Sequence, residues 1–201
     1  MRNKTYLLLT LVALICSCSQ DKGTDKYDLI LAQYEGEYQV ESMEFTSEEG
    51  KTMVVDLNND KKASNELLSE LIVLHSGASR MGTKFFPSYG KRAGTLDVMI
   101  PVMDYYVSYG YYDWSVSPSI HCFLDVSINE DGSLTSSTLD HLEWPDEERI
   151  GMKAFGGVSL KNAEPGRIDL SVERYMVYDY KTSKEMIGKV SVILSRYYSE
   201  Q

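Results

Sequence analysis

The chain has 201 residues, of which 43% are hydrophobic and 25% are charged, as expected for one globular domain with a buried core. Its 30 acidic residues outnumber its 20 basic residues, so the formal net charge is −10 at pH 7. This balance disfavours nucleic-acid binding, because neutralising phosphates requires clustered lysine and arginine residues.

The first 17 residues have the features of a targeting segment. Arg2 and Lys4 precede an apolar run over residues 6–15, and this run is shorter than the roughly 20 residues that a helix needs to span a bilayer. A charged start followed by a short apolar core predicts a secretory signal peptide over residues 1–17.

Residues 15–18, with the sequence ICSC, resemble the lipobox of bacterial lipoproteins, in which a small residue precedes the lipid-bearing cysteine. Cys18 is the better acceptor, because Ile15 is too bulky for the position before Cys16. The resemblance implies an anchor of several acyl chains, in which each buried methylene contributes about 0.8 kcal/mol. By the sorting rule of the Gram-negative lipoproteins that this segment resembles, Ser19 implies the outer membrane, on its periplasmic or cell-surface face. The alternative is an ordinary signal peptide with incidental cysteines.

The mature chain is predicted to begin with a lipidated N-terminus and polar tether over residues 18–33, followed by one domain over residues 34–201. Removing residues 1–17 takes away two of the 20 basic residues and no acidic residue, which leaves 18 basic and 30 acidic residues and a net charge of −12. Cys122 then has no partner for an internal disulfide and is expected to be a small buried hydrophobe.

The stretch 55–71, VDLNNDKKASNELLSEL, places oxygen-bearing side chains at alternate positions before a helix-like pattern. A calcium loop of the EF-hand type has this spacing, followed by a glycine at position 6 and a closing carboxylate at position 12. Lys61 and Leu67 stand at those two positions here, and Lys62 adds a second positive charge. The candidate metal ligands are Asp56, Asn58, Asp60 and Glu66, with Glu70 also nearby.

A polar turn that caps a helix is the interpretation we favour for this stretch, because Asp and Asn side chains also bond their own backbone. A helix is expected over residues 64–74, capped by Ser64 or Asn65, with an apolar stripe of Leu67, Leu68, Leu71 and Ile72. We therefore predict no cofactor. Calcium remains the alternative, and it requires Glu66 or Glu70 to fold back onto Asp56 and Asp60.

Most of the remaining chain predicts antiparallel β-strands. Apolar and polar residues alternate in four segments, 96–102, 119–129, 167–180 and 184–198. Turn residues at 129–132, 164–166 and 179–184 join neighbouring strands. Closing the sheet into a barrel would remove its exposed edges, and a β-sandwich is the alternative.

Residues near the two ends of the domain favour the barrel. Gly36 and Tyr38 open the first strand, and Arg196 lies near the end of the last strand, in register with its apolar residues. This arrangement resembles the calycin and lipocalin signature, in which a Gly-x-Trp on the first strand is packed by an arginine from the last strand; Tyr38 stands here for the tryptophan. The alternative is a lone arginine extended along the strand end.

The wider layout resembles lipocalin-like lipoproteins of unknown function from gut-type anaerobic bacteria. This resemblance implies a mainly β fold, an antiparallel lipocalin-like barrel of eight to ten strands with one short helix. It implies no activity of its own, since function depends on sites and not on folds.

Residues 104–114, DYYVSYGYYDW, form an aromatic segment with five tyrosines and one tryptophan. Tyr109, Tyr111 and Trp114 are candidates for a platform that stacks on a sugar or an apolar ligand. The alternative is a twisted hairpin whose aromatic rings pack on each other. Arg174 is expected inside the barrel, where it would neutralise an anionic ligand or pair with Glu44.

The sequence predicts no catalytic site. Strand alternation sends His121 and Cys122 to opposite faces, the three histidines lack metal-ligand spacing, and the acidic run 146–148 is typical of a solvated loop. We expect non-catalytic binding of a small apolar or amphiphilic ligand, or of an envelope component, and no nucleic-acid partner. The alternative is a structural or accessory subunit of an outer-membrane complex, with a side-chain-filled barrel.

Overall fold

The computed structural model describes residues 25–74, 83–106, 111–138 and 156–198, and describes the backbone alone for residues 74, 102–106 and 111–121. Several residues considered above lie outside the described chain, namely Cys18, His75, Tyr109, His141 and the run 146–148. The side chains of Tyr111, Trp114 and His121 also lie outside it.

The described chain is mainly β, with eight antiparallel strands and two short helices. The helices are α1 (Lys26–Tyr34) and α2 (Leu67–Leu74). The strands are β1 (Gly36–Thr46), β2 (Thr83–Ser88), β3 (Ala93–Tyr106), β4 (Tyr111–Ile128), β5 (Leu134–Ser136), β6 (Gly156–Glu164), β7 (Arg167–Asp179) and β8 (Lys184–Arg196).

The strands form one sheet in the order β5-β4-β3-β2-β1-β8-β7-β6. Because β1 pairs with both β2 and β8, strand order follows chain order around the sheet, and the break lies between β5 and β6. The backbone N–H of Leu160 in β6 donates to the hydroxyl of Ser136 in β5 at 2.9 Å, which bridges the break. The sheet is therefore a nearly closed barrel, which confirms the predicted fold class and is consistent with a lipocalin-like fold.

Alternation along the strands determines which side chains fill the core. In β4, Cys122, Leu124 and Val126 are buried, whereas Phe123 and Asp125 between them are exposed. Every described strand contributes buried residues to one apolar cluster. Removing this apolar surface from water supplies the main driving force for closing the sheet.

A bulge in β7 reverses this alternation and corrects one prediction. The pairing of β7 with β8 shifts register between Val172 and Tyr175. Val172 is fully buried before the shift, Tyr175 is fully buried after it, and Arg174 between them is exposed. The expectation of a buried Arg174 is therefore wrong, because the extra residue of a bulge moves the following side chains to the opposite face. Glu44, its suggested partner, is exposed as well.

The sequence predicted one helix, and the described residues form two. Residues 26–33, assigned to the tether, lie in α1, whose N-terminus is capped by Asp25: the N–H of Tyr27 donates to Asp25 Oδ1 at 3.1 Å. Tyr27, Leu31 and Tyr34 are buried, and their spacing places them on one helix face. Neither helix in the described part of the chain has the length and apolarity needed to cross a bilayer.

Candidate functional site

The loop between β1 and α2 is shaped by hydrogen bonds from its own backbone. The N–H of Lys61 donates to Asp56 Oδ2 at 2.9 Å, that of Asp60 donates to Asn58 Oδ1 at 2.9 Å, and that of Lys62 donates to Asp60 Oδ1 at 2.7 Å. Lys61 has a φ of 72°, the left-handed conformation that glycine adopts most easily. Lys61 thus adopts the backbone conformation that the EF-hand pattern assigns to a glycine at position 6.

Glu66 accepts hydrogen bonds from the first turn of α2. Its carboxylate accepts the N–H of Leu68 at 3.3 Å and the N–H of Ser69 at 2.7 Å. The N–H of Met43 in β1 donates to the same carboxylate at 2.8 Å. Glu66 therefore caps α2 in place of the predicted Ser64 or Asn65, and the structure does not bring it to the other candidate metal ligands. The predicted stripe is also narrower, because Ile72 is exposed.

Glu70 folds back onto the loop instead. One carboxylate oxygen from each of Asp56, Asp60 and Glu70 lies within 4.8 Å of the other two. Glu70 Oε2 also accepts the N–H of Leu57 at 3.3 Å. Asp56 is 1% exposed and Glu70 is 6% exposed, whereas Asp60 lies at the surface. We call these three residues the carboxylate cluster.

The carboxylate cluster concentrates negative charge in a buried place. Burial raises the pKa of Glu70, the N–H of Leu57 opposes this effect, and the charges of Asp60 and Asp56 raise the pKa further. Oδ1 of Asp56 is buried and has no hydrogen-bond partner among the described residues. Within the described chain, the ion pairs of lysine and arginine involve other carboxylates. A buried carboxylate without such compensation is costly.

Asp179, at the end of β7, is hydrogen-bonded to the loop between β1 and α2. The N–H of Asp56 donates to Asp179 Oδ1 at 2.9 Å, and the N–H of Tyr180 donates to the carbonyl oxygen of Asp56 at 2.8 Å. The hydroxyl of Thr182 donates to Asp179 Oδ2 at 2.6 Å. Sequence analysis missed Asp179, because its role depends on a residue 123 positions away in the chain.

The side chain of Tyr175 reaches across the interior of the barrel. The hydroxyl of Tyr175 in β7 donates to the carbonyl oxygen of Pro101 in β3. Three strands separate β3 from β7 in the sheet, so this hydrogen bond spans the interior. Tyr38, Phe45 and Phe85 are also among the largest fully buried side chains of the described residues. An eight-stranded barrel is just wide enough either to be filled in this way or to hold one small ligand.

The structure brings together Gly36, Tyr38 and Arg196, the residues predicted to lock the first strand to the last. Tyr38 and Arg196 are paired across β1 and β8, and Arg196 Cζ lies 5.7 Å from the centroid of the Tyr38 ring. A Cβ at Gly36, whose φ is +145°, would lie 3.5 Å from Arg196 Nε. Arg196 Nη2 also donates to the carbonyl oxygen of Gln33 in α1.

The aromatic segment includes the end of β3 and the start of β4, and we call the paired residues 102–106 and 111–115 the aromatic ribbon. Backbone pairing in the described chain continues from Val102 opposite Ser115 to Tyr106 opposite Tyr111. Trp114 is opposite Met103. Described pairing with the flanking strands ends earlier, since β2 reaches only Asp97 of β3, and β5 pairs with β4 from Val126 onward.

Comparison with known proteins identifies no relative. The chain matches no protein-family model, no curated protein and no solved structure. Its function is accordingly inferred from the barrel and its sites.

Proposed function

We propose that this chain is a lipid-anchored, non-catalytic protein of the bacterial outer membrane that binds another envelope component through the aromatic ribbon. In this proposal residues 1–17 are the signal peptide, Cys18 carries the lipid, and the barrel is a rigid support. The pairing of Gly36, Tyr38 and Arg196 supports kinship with the lipocalin-like lipoproteins that the sequence resembles.

The observation that carries the proposal is the strand pairing of the aromatic ribbon. Within the described chain, residues 102–106 and 111–115 pair only with each other. A two-stranded ribbon is marginally stable in water by itself, so a contact with another surface would stabilise it. Tyrosine and tryptophan, which are abundant in this segment, are enriched at protein interfaces because each offers an apolar ring with a polar group.

The hydrogen bond that Tyr175 makes across the interior favours an external partner over an internal ligand. A site for a small apolar or amphiphilic molecule requires a cavity of roughly 300 Å³ or more. Tyr175 and its hydrogen bond to Pro101 instead occupy the interior between β3 and β7. The role that follows is that of a structural or accessory subunit in an outer-membrane complex.

The environment of Cys122 supports a non-catalytic role. A nucleophilic cysteine requires a lowered pKa and access to its substrate. Cys122 is 1% exposed, and burial, with a smaller contribution from the charge of Asp97, raises the pKa of its thiol to about 12. This side chain packs in the core.

Site-specific photo-crosslinking in cells that make the full lipidated chain tests the ribbon. A photoreactive residue at Tyr111 should give a discrete protein adduct, and Trp114→Ala should reduce the yield of that adduct several-fold. The matched control is the same photoreactive residue at Phe123, an exposed aromatic position elsewhere on β4. Equal adducts from the two positions, or none from Tyr111, would refute binding through the ribbon.

Native mass spectrometry distinguishes the external partner from an internal ligand. The soluble chain beginning at residue 19 should give the mass of the polypeptide alone. A stoichiometric adduct of lipid size, lost in a variant that enlarges a side chain lining the interior, would instead establish the barrel as a ligand carrier.

A further inference from the structure

We propose that the carboxylate cluster of Asp56, Asp60 and Glu70 binds a calcium ion, which fastens the loop after β1 to helix α2. This site is separate from the aromatic ribbon, so either proposal can fail without the other.

The spacing of the three carboxylates suits calcium. Calcium–oxygen bonds are about 2.4 Å long, so two ligands of one ion lie at most about 4.8 Å apart. The three carboxylate oxygens all lie within this limit. Carboxylate oxygens are hard ligands that favour calcium or magnesium over the softer transition metals. Magnesium demands a near-ideal octahedron at about 2.1 Å, which is a narrower requirement.

The second observation is the unsatisfied state of Asp56. Its side chain is 1% exposed, and Oδ1 has no hydrogen-bond partner among the described residues. Its other oxygen accepts the N–H of Lys61, and its backbone is held by Asp179 and Tyr180. The loop thus fixes a buried carboxylate in place and leaves one oxygen without a donor. A cation supplies the missing partner.

Three sequence features argued against calcium: a lysine in place of the glycine, two lysine charges, and no carboxylate at position 12. The structure accommodates each of them. Lys61 adopts the left-handed turn itself, and the side chains of Lys61 and Lys62 are exposed. Their backbone N–H groups bond to Asp56 and Asp60 and so shape the loop. Glu70 supplies the closing carboxylate, three residues beyond the position at which an EF-hand carries it.

The cluster suits a site of moderate affinity. Two carboxylates are buried, and Asp60 is exposed at the entrance. Asn58 Oδ1 accepts the N–H of Asp60 and so positions that residue. Three carboxylates from the protein are fewer ligands than a high-affinity EF-hand provides, and we expect a dissociation constant in the range of about 10⁻⁴–10⁻³ M found in extracellular calcium modules.

The test uses the soluble chain beginning at residue 19, stripped with EDTA and then desalted. Isothermal titration with CaCl₂ should show one site, and about 5 mM CaCl₂ should raise the melting temperature by a few degrees, because a ligand of the folded state stabilises it. MgCl₂ at the same concentration should have a smaller effect, and KCl at matched ionic strength controls for charge screening.

Asp56→Asn and Glu70→Gln keep the shape of each side chain and its ability to accept a backbone hydrogen bond. Each variant should weaken calcium binding at least about tenfold, since each removes a charged ligand. The control is Glu130→Gln, which removes one charge from an exposed glutamate outside the cluster and should bind calcium as the unmodified chain does.

Measurements without calcium provide an independent readout. Glu70→Gln should raise the melting temperature of the stripped protein, because it relieves repulsion from Asp56 and Asp60. A purely structural role for Glu70 predicts a fall instead. The proposal is overturned if the unmodified chain shows no heat and no stabilisation at about 5 mM CaCl₂, or if MgCl₂ stabilises it equally. Loss of binding in the Glu130 control to the same degree would also overturn it.

Discussion

Arg196 lies over the ring of Tyr38, with its Cζ 5.7 Å from the ring centroid, although 158 residues separate the two in the chain. The same guanidinium donates to the carbonyl oxygen of Gln33 at the end of α1, and the hydroxyl of Tyr38 donates to the carbonyl oxygen of Tyr34 at 2.7 Å. One arginine therefore joins the first strand, the last strand and the helix that precedes them.

Arg196→Ala should lower the free energy of unfolding by about 1–3 kcal/mol, because it removes a cation–π contact and a charged hydrogen-bond donor. Arg196→Lys should recover only part of this loss, since lysine lacks the planar guanidinium. Urea denaturation provides the measurement. Arg167→Ala is the control, because it removes an exposed ion pair with Asp169 and should change stability much less. Equal effects at the two positions would show that the lock contributes nothing special.

Tyr175→Phe should destabilise the barrel by about 1–3 kcal/mol. It removes only the hydroxyl and leaves the buried carbonyl oxygen of Pro101 without its donor from β7. Guanidinium denaturation should show a lower midpoint with an unchanged slope. Tyr89→Phe, at an exposed tyrosine bonded to Glu35, is the matched control and should have little effect. If Tyr175→Phe left the free energy of unfolding unchanged, water would readily replace the hydroxyl, and the interior would be less tightly filled.

Cys122 should resist alkylation in the folded protein. With a pKa of about 12, about one thiol in 10⁴ is ionised at pH 8, against about one in four at the ordinary pKa of about 8.5. In the chain beginning at residue 19, Cys122 is the sole cysteine. Iodoacetamide at pH 8 should therefore modify the native protein at least about 10³-fold more slowly than the protein in urea. Comparable rates in the two states would contradict the burial of this side chain.

The same thiol should make stability depend on pH in the alkaline range. The pKa of this thiol is raised on folding. Its contribution to the free energy of unfolding is therefore complete below the unfolded pKa of about 8.5 and is lost as pH rises toward the folded value of about 12. The free energy of unfolding should fall with a slope approaching about 1.4 kcal/mol per pH unit above pH 8.5. Cys122→Ala should remove this fall in the free energy of unfolding between pH 8.5 and 9.5. An unchanged slope in the variant would contradict the assignment to Cys122.

Cys18→Ser should release the protein from membranes, because the predicted lipid has no other attachment point. Cys16→Ser is the matched control and should leave the mature protein anchored, since Cys16 lies within the predicted signal peptide. Partition between detergent and aqueous phases, together with metabolic labelling by palmitate, measures the outcome. Retention of the Cys18→Ser protein in the detergent phase would show that the anchor lies elsewhere.

Periodicity predicted much of the barrel, because every second residue of a strand faces the core wherever pairing is regular. It failed at Arg174, where a bulge between Val172 and Tyr175 adds a residue and reverses the alternation. Bulges depend on pairing with a distant strand, so the local pattern of β7 did not reveal one.

The carboxylate cluster was partly predictable. Spacing identified Asp56 and Asp60, and the calcium alternative, which the sequence did not favour, required Glu66 or Glu70 to fold back from the following helix. The choice between them depends on Met43, whose N–H bonds to Glu66, and on Leu57, whose N–H bonds to Glu70. Contacts between separate parts of the chain made this choice, which single-sequence spacing does not contain.

The pairing of β1 with β8 also limits the order in which the barrel forms. As the chain is made from its N-terminus, β1 remains an unpaired edge on this side until β8, which ends at Arg196, is complete. Contacts between such distant segments slow folding, and an exposed strand edge is prone to pair with other chains. A chain truncated before Lys184 would keep seven of the eight described strands, yet it would leave both β1 and β7 as open edges. Completion of β8 is therefore the step that turns an aggregation-prone sheet into a nearly closed barrel.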